Sequence, residues 1–180
     1  MPEVIGIAIA KKLMGEIEEL KTVDVSIESG ISGDARGRKR DRQITILFED
    51  DWGDACKDIN ENLHWTSRRA NLLVSGLRGP QKEGSIIEIG DIKLKVSFET
   101  DPCELMEKTF KGLRKALERG WRGGVCCSVL SGGKLSIGDK LSITKTFNSG
   151  EKFDFTQFDY EVPVGQLSLI HISEPTRQAE

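Results

Sequence analysis

Histidine is scarce in this chain: 180 residues contain two, His64 and His171. With His171 in an unusual C-terminal tail, His64 alone cannot supply a credible Ser/His/Asp arrangement. The four cysteines, Cys56, Cys103, Cys126 and Cys127, form no C-x-x-C pair and have no histidine beside them. That argues against a structural zinc site, and a chain of this length without a secretory signal gives no reason for a disulfide framework. No apolar run approaches the roughly 18 residues of a membrane span. Residues 4–10 are apolar, but Pro2-Glu3 precede them and Lys11-Lys12 follow. This order is the reverse of a secretory signal, so the segment reads as a buried first strand of a cytoplasmic protein. An excess of basic charge is also missing: 26 Lys+Arg stand against 29 Asp+Glu, a net charge of −3. Nucleic acid is therefore not the expected partner. The glycines compose no Walker or dinucleotide fingerprint.

The residues present suffice for one globular domain, with 37% hydrophobic residues and a length suited to a sizeable core. Val23, Val25 and Ile27 alternate with polar neighbours, as do Ile92, Leu94, Val96 and Phe98, and both patterns predict half-buried strands. Further strands are expected over 43–48, 71–74 and 125–130. Trp52, Ala55, Cys56 and Ile59 fall on one face of a short amphipathic helix. Met106, Phe110, Leu113 and Leu117 mark another, which Gly112 weakens enough to allow a break. An internal echo, GSIIEIGD at 84–91 and GKLSIGD at 133–139, predicts two β-hairpins, each turning at an Ile-Gly-Asp unit. Many short strands with two or three helices point to a mainly-β, barrel-like fold rather than a doubly wound sheet.

Three segments carry candidate chemistry. The loop RGRKRDR (36–42) has five cations against one aspartate and no interleaved aromatics. It reads either as a solvated loop or as an anion site for a phosphorylated small molecule. Arg68 and Arg69 open an apolar strand, where an arginine must pair or reach water, because an isolated buried charge is too costly. Cys103 follows Pro102 and precedes a helix, whose free backbone N–H groups favour a thiolate. A thiolate is a nucleophile, a sulfur acceptor and a soft-metal ligand, while a buried, inert cysteine is the plainer alternative. Cys56, Cys126 and Cys127 read as small core residues.

The ordered set GISGD (30–34), RRANLLVSGL (68–77), GSIIEIGDIKLKVSFETDPC (84–103), LRKAL (113–117) and RGGVCCSVLSGGKLSIGD (122–139) resembles the MOSC domain. This module is named for the C-terminal part of molybdenum-cofactor sulfurases. The resemblance implies a MOSC-type β-barrel over residues 1–143. It also implies a molybdenum cofactor (molybdopterin), with Cys103 as molybdenum ligand or persulfide carrier. Arg69 and Asn71 match the family's R-x-N strand start and imply contacts to the cofactor's phosphate and pterin; Arg42 and Lys12 are looser matches for the same task. The desulfurase domain of the full sulfurases is missing, so no pyridoxal phosphate is expected, and a stand-alone MOSC domain is implied. If molybdenum serves turnover, the implied reaction is reduction of N-hydroxylated compounds, with electrons from an external redox partner, since the chain has no flavin, haem or iron–sulfur motif. The alternatives are a non-enzymatic sulfur carrier, served by a cysteine desulfurase, and a small barrel binding a phosphorylated ligand.

Residues 144–166 form an extension without clear period, in which Phe147, Phe153, Phe155 and Phe158 could dock on the barrel. The last segment, 167–180, contains LSLIHISEPTR, which resembles the translation of a sequencing-library adapter. On that reading the native C-terminus is missing and His171 has no role.

Overall fold

A computed structural model describes residues 1–144. The expected extension and tail, with their phenylalanines and His171, lie outside the described residues. The strands are β1 (Glu3–Ile9), β2 (Glu18–Glu19), β3 (Thr22–Ser26), β4 (Gly30–Ile31), β5 (Ile44–Phe48), β6 (Leu72–Ser75), β7 (Ile86–Ile89), β8 (Ile92–Glu99), β9 (Val125–Ser131), β10 (Gly133–Ser136) and β11 (Leu141–Thr144). The helices are α1 (Glu49–Asp58), α2 (Glu104–Thr109) and α3 (Leu113–Leu117), and a 3₁₀ turn covers Trp65–Arg68. None of these helices is long and apolar enough to cross a membrane.

The main sheet runs in the order β11-β7-β8-β9-β5-β6-β1-β2 and curls strongly. Its ends approach each other: Glu3 bridges Lys140, the Val4 N–H donates to the Asp139 carbonyl at 2.9 Å, and the Gly138 N–H donates to the Val4 carbonyl at 2.8 Å. The fold is thus mainly β and barrel-like. β5 and β6 are parallel, joined through α1 and the 3₁₀ turn, and the remaining pairs of this sheet are antiparallel.

Side-chain alternation explains the layers. Ile7, Ile9, Ile46, Phe48, Leu72 and Val74 point into the barrel core. Their alternates Ala8, Leu47 and Leu73 lie on the outer face, under Trp52, Trp65, Met106 and Leu113 of the helical layer. The central strands are therefore apolar on both faces, which is why 46–48 and 72–74 read as continuous apolar runs. A smaller sheet, β10-β3-β4, turns Val23, Val25, Ile31 and Leu135 onto the same inner core.

Two expectations change on contact with the structure. The first Ile-Gly-Asp unit does join a hairpin, β7 to β8. The second does not: β10 pairs with β3 and β11 with β7. Gly138 (φ +93°) and the Asp139 carboxylate accepting from the Ser136 N–H at 2.8 Å make the same local turn. The flanking strands then diverge because each finds a better-placed partner elsewhere. Ile27 belongs to no strand; it follows β3 and is exposed. The break allowed at Gly112 is present: this residue lies at φ +87° between α2 and α3, with the Glu107 carboxylate accepting its N–H at 3.0 Å.

Gly6 shows how tightly the helical layer sits. A Cβ there would lie 2.7 Å from Cζ2 of Trp65. Gly6→Ala is expected to overpack this contact and cost about 1–3 kcal/mol, read as a lower denaturation midpoint with an unchanged slope.

Candidate functional site

The 3₁₀ turn ends at Arg69, which adopts the left-handed conformation (φ +61°) and donates its N–H to the Thr66 carbonyl at 2.9 Å. This reversal sends two sequential arginines to different partners. Arg68 is 7% exposed. Its Nε donates to the Gly123 carbonyl at 3.1 Å and its Nη2 to the Thr100 carbonyl at 2.7 Å. Arg69 Nη2 donates to the Gly15 carbonyl at 2.9 Å. Burial lowers the pKa of both, and for Arg69 the neighbouring Arg36 lowers it further. Among the described residues Arg68 has no carboxylate partner; the expected need to pair is met by carbonyl dipoles instead.

Asn71 follows, 2% exposed. Its Nδ2 donates to the Ala8 carbonyl at 3.2 Å and to Asp34 Oδ2 at 3.0 Å. Its Oδ1 accepts from the Thr45 N–H at 3.0 Å and the Thr45 hydroxyl at 3.1 Å. All four hydrogen-bonding positions of the amide are thus filled by protein. Asp34, itself 7% exposed, accepts from the Ala10 N–H at 2.9 Å and from Arg36 Nε at 2.9 Å. Arg36 also donates through Nη1 to the carbonyl of Arg69. The basic loop is therefore divided. Arg36 is tied into this buried network, while Arg38, Lys39 and Arg42 are exposed.

Two adjoining cavities share Leu13, Arg36, Arg42, Thr45 and Arg69 as their common wall. One, of about 330 Å³, adds Arg38, Lys39 and Asn71. The other, of about 410 Å³, adds Arg68, Thr100 and Cys103, with Met14, Leu105 and Met106 as an apolar rim. No Asp or Glu lines either. Cations at one end and a sulfur at the other suit a ligand that carries an oxyanion and a soft, thiophilic group. Of the residues singled out in the sequence, Cys103, Arg69, Asn71 and Arg42 come together here. Lys12 lies on an adjacent depression with Lys11 and Glu16, next to Leu13. Asp34, Thr45, Leu13 and Met14 were not anticipated; the one available signal was Asp34 within GISGD.

Cys103 is exposed and precedes α2, and its carbonyl accepts from the Met106 N–H at 2.9 Å. α2 is only six residues long, so its dipole is weak and the arginines are the main positive groups nearby. Cys56, Cys126 and Cys127 are buried, and burial pushes all three thiols up. Cys127 faces the barrel core. Cys126 meets the Thr100 hydroxyl at 3.2 Å.

Two measurements check this network. Asn71→Ala strips partners from Asp34, Ala8 and Thr45 and is expected to cost about 3 kcal/mol in denaturant. Glu99, half-buried at the end of β8, has its pKa raised by burial and then by Asp101. A carboxyl whose folded pKa is raised costs stability once pH exceeds the unfolded value. Glu99→Gln is therefore expected to raise Tm at pH 7 and to leave it unchanged at pH 3.

The model of the MOSC domain family matches residues 31–142. No curated protein matches the chain. Among solved structures, the YuaD protein from Bacillus subtilis superposes with a TM-score of 0.69 at 21% identity, covering 82% of this chain and 98% of that one. YiiM from Escherichia coli gives 0.61 at 18% identity, over 81% and 71%. YiiM from Geobacillus stearothermophilus gives 0.62 at 16%, over 81% and 76%. At these identities the likeness is one of fold. The family match spans both ends of the cleft, from the Asp34 network to Cys103, and the chain belongs to the MOSC domain family.

Proposed function

We propose that the cleft holds a molybdenum cofactor, with its phosphate among the arginines and the Cys103 sulfur as a ligand to the metal. The observation that carries this reading is the shared wall of the two cavities. Four arginines and an exposed thiol line the larger one, and no carboxylate lines either. The donor set fits the group. A guanidinium offers paired N–H donors to phosphate oxygens, and thiolate is a soft ligand suited to molybdenum–sulfur chemistry. A single thiol supplies one ligand, so the metal must bring others, as a pterin dithiolene does.

In this reading Arg69 and Arg42 bind the phosphate directly, since both line both cavities. Asn71 acts through Asp34 and Arg36, which it holds in place. Lys12 adds positive charge at the flank. Leu13, Met14 and Leu105 give the Cys103 end an apolar rim. The bound cofactor would supply two-electron redox chemistry, suited to reducing N-hydroxylated compounds, with electrons from an external partner. A second reading draws on the exposure of Cys103: a persulfide carrier loaded by a cysteine desulfurase.

Metal analysis of protein from a cofactor-competent host tests both. Stoichiometric molybdenum that disappears in Cys103→Ala is expected. Arg69→Ala should weaken retention by about tenfold, and Arg38→Ala, on the exposed loop, by less. Equal losses would count against the phosphate position. A mass gain of one sulfur on Cys103 after incubation with a desulfurase, without molybdenum, would transfer the assignment to sulfur carriage. Neither result would leave a barrel for a phosphorylated ligand.

A further inference from the structure

Arg68 is the most deeply buried cation on the cleft wall, and no carboxylate pairs with it among the described residues. Withdrawing such a charge from water costs several kcal/mol, and two carbonyl dipoles offset only part of that. A clamp between Thr100 and Gly123 needs donors, not a permanent charge. The place of the charge supplies a reason for it. Arg68 lines the same cavity as Cys103, and a negative charge on Cys103 favours the protonated guanidinium, so the two are within electrostatic reach.

We infer that Arg68 is a positioning residue whose buried charge sets a lasting positive potential at the Cys103 sulfur, so that this pocket takes anionic ligands in preference to neutral or cationic ones. The positioning is direct. Arg68 grips the carbonyl of Thr100, three residues before Cys103, while the Thr100 N–H donates to the Gly124 carbonyl at 2.9 Å. Gly123 makes room for this grip, since a Cβ there would meet the Thr100 oxygen at 2.5 Å and Arg68 Nη2 at 3.0 Å. Of the other charges around Cys103, Arg36, Arg69 and Glu99 are half-buried and the rest act from the surface. Asp101, Glu104 and Arg42 are exposed, and Glu104 is paired with Arg114. Salt screens exposed charges over about 8 Å at physiological ionic strength and about 3 Å at 1 M, and screens a buried one much less. Arg68, the only buried one among them, is the charge that salt screens least.

This deepens the cofactor reading, because a phosphate-bearing metal dithiolene is anionic. It is measured on the free thiol, however, so the two readings succeed or fail separately. Cofactor-free, full-length protein is alkylated with iodoacetate, an anion, and with iodoacetamide, its neutral counterpart. The same thiolate attacks both reagents and displaces iodide from each, so the ratio of rates cancels accessibility and thiolate fraction and reports the local potential. Mass analysis assigns the label to Cys103, the exposed thiol among the four. In 0.5 M KCl the wild-type ratio is expected to exceed that of a neutral small thiol by about threefold to tenfold, the scale of one partly shielded unit charge. Arg68→Gln should remove that excess, and Arg68→Lys, which keeps the charge, should retain most of it. A purely structural role would shift both rates together and leave the ratio unmoved. A wild-type ratio in 0.5 M KCl equal to that of the small thiol overturns the inference, as does an unchanged ratio in folded Arg68→Gln. If that variant does not fold, Arg68→Met takes its place under the same two outcomes.

Discussion

Asp34 holds a carboxylate almost wholly out of water, and the cleft is organised by how its oxygens are satisfied. One oxygen takes the Ala10 N–H just after β1 together with Arg36 Nε; the other takes the Asn71 amide just before β6. Asn71 in turn closes on Thr45 of β5 and on the Ala8 carbonyl. Three neighbouring strands of the barrel wall are thereby pinned at one end, where their backbone groups would otherwise lack partners. A buried carboxylate persists only when its desolvation is offset by such donors, and here one of them, Arg36, also lines the cleft. The polar network both closes the barrel end and shapes the binding surface.

The same economy of position governs the 3₁₀ turn. A left-handed residue at Arg69 ends the turn and sends consecutive side chains apart. Arg68 reaches the Thr100–Cys103 segment and Arg69 reaches the loop carrying Leu13 and Met14. The two ends of the cleft are therefore connected through one peptide bond. Displacing either arginine would move the sulfur relative to the cations, and so would alter any ligand that needs both.

Much of the barrel could be read from the order of residues. The strict alternation in 92–96 and the double-sided apolar runs in 46–48 and 72–74 specify strands because side chains alternate across a pleat. The break at Gly112 followed from helix propensity. The echo of Ile-Gly-Asp misled where strand partners mattered. A turn is a local property of four residues, but the partner of β10 lies more than a hundred residues earlier, in β3. In the site, Cys103 and Arg69 stood out through motif resemblance. Asp34 did not, since a buried aspartate and a solvated one look alike until the donors around it are known. The basic loop likewise read as one unit, although burial separates Arg36 from Arg38 and Lys39.

The sequence by itself determined the class of fold, the family and which of four cysteines to single out, because periodicity, turn chemistry and ordered motifs are local or cumulative along the chain. Only the tertiary structure decided which cations share a cavity with that thiol, that Arg68 is buried without a carboxylate partner, and that the Asn71 amide is wholly engaged by protein. Those properties depend on distance through space and on exclusion of water, and both arise only once strands far apart in the chain have been brought side by side.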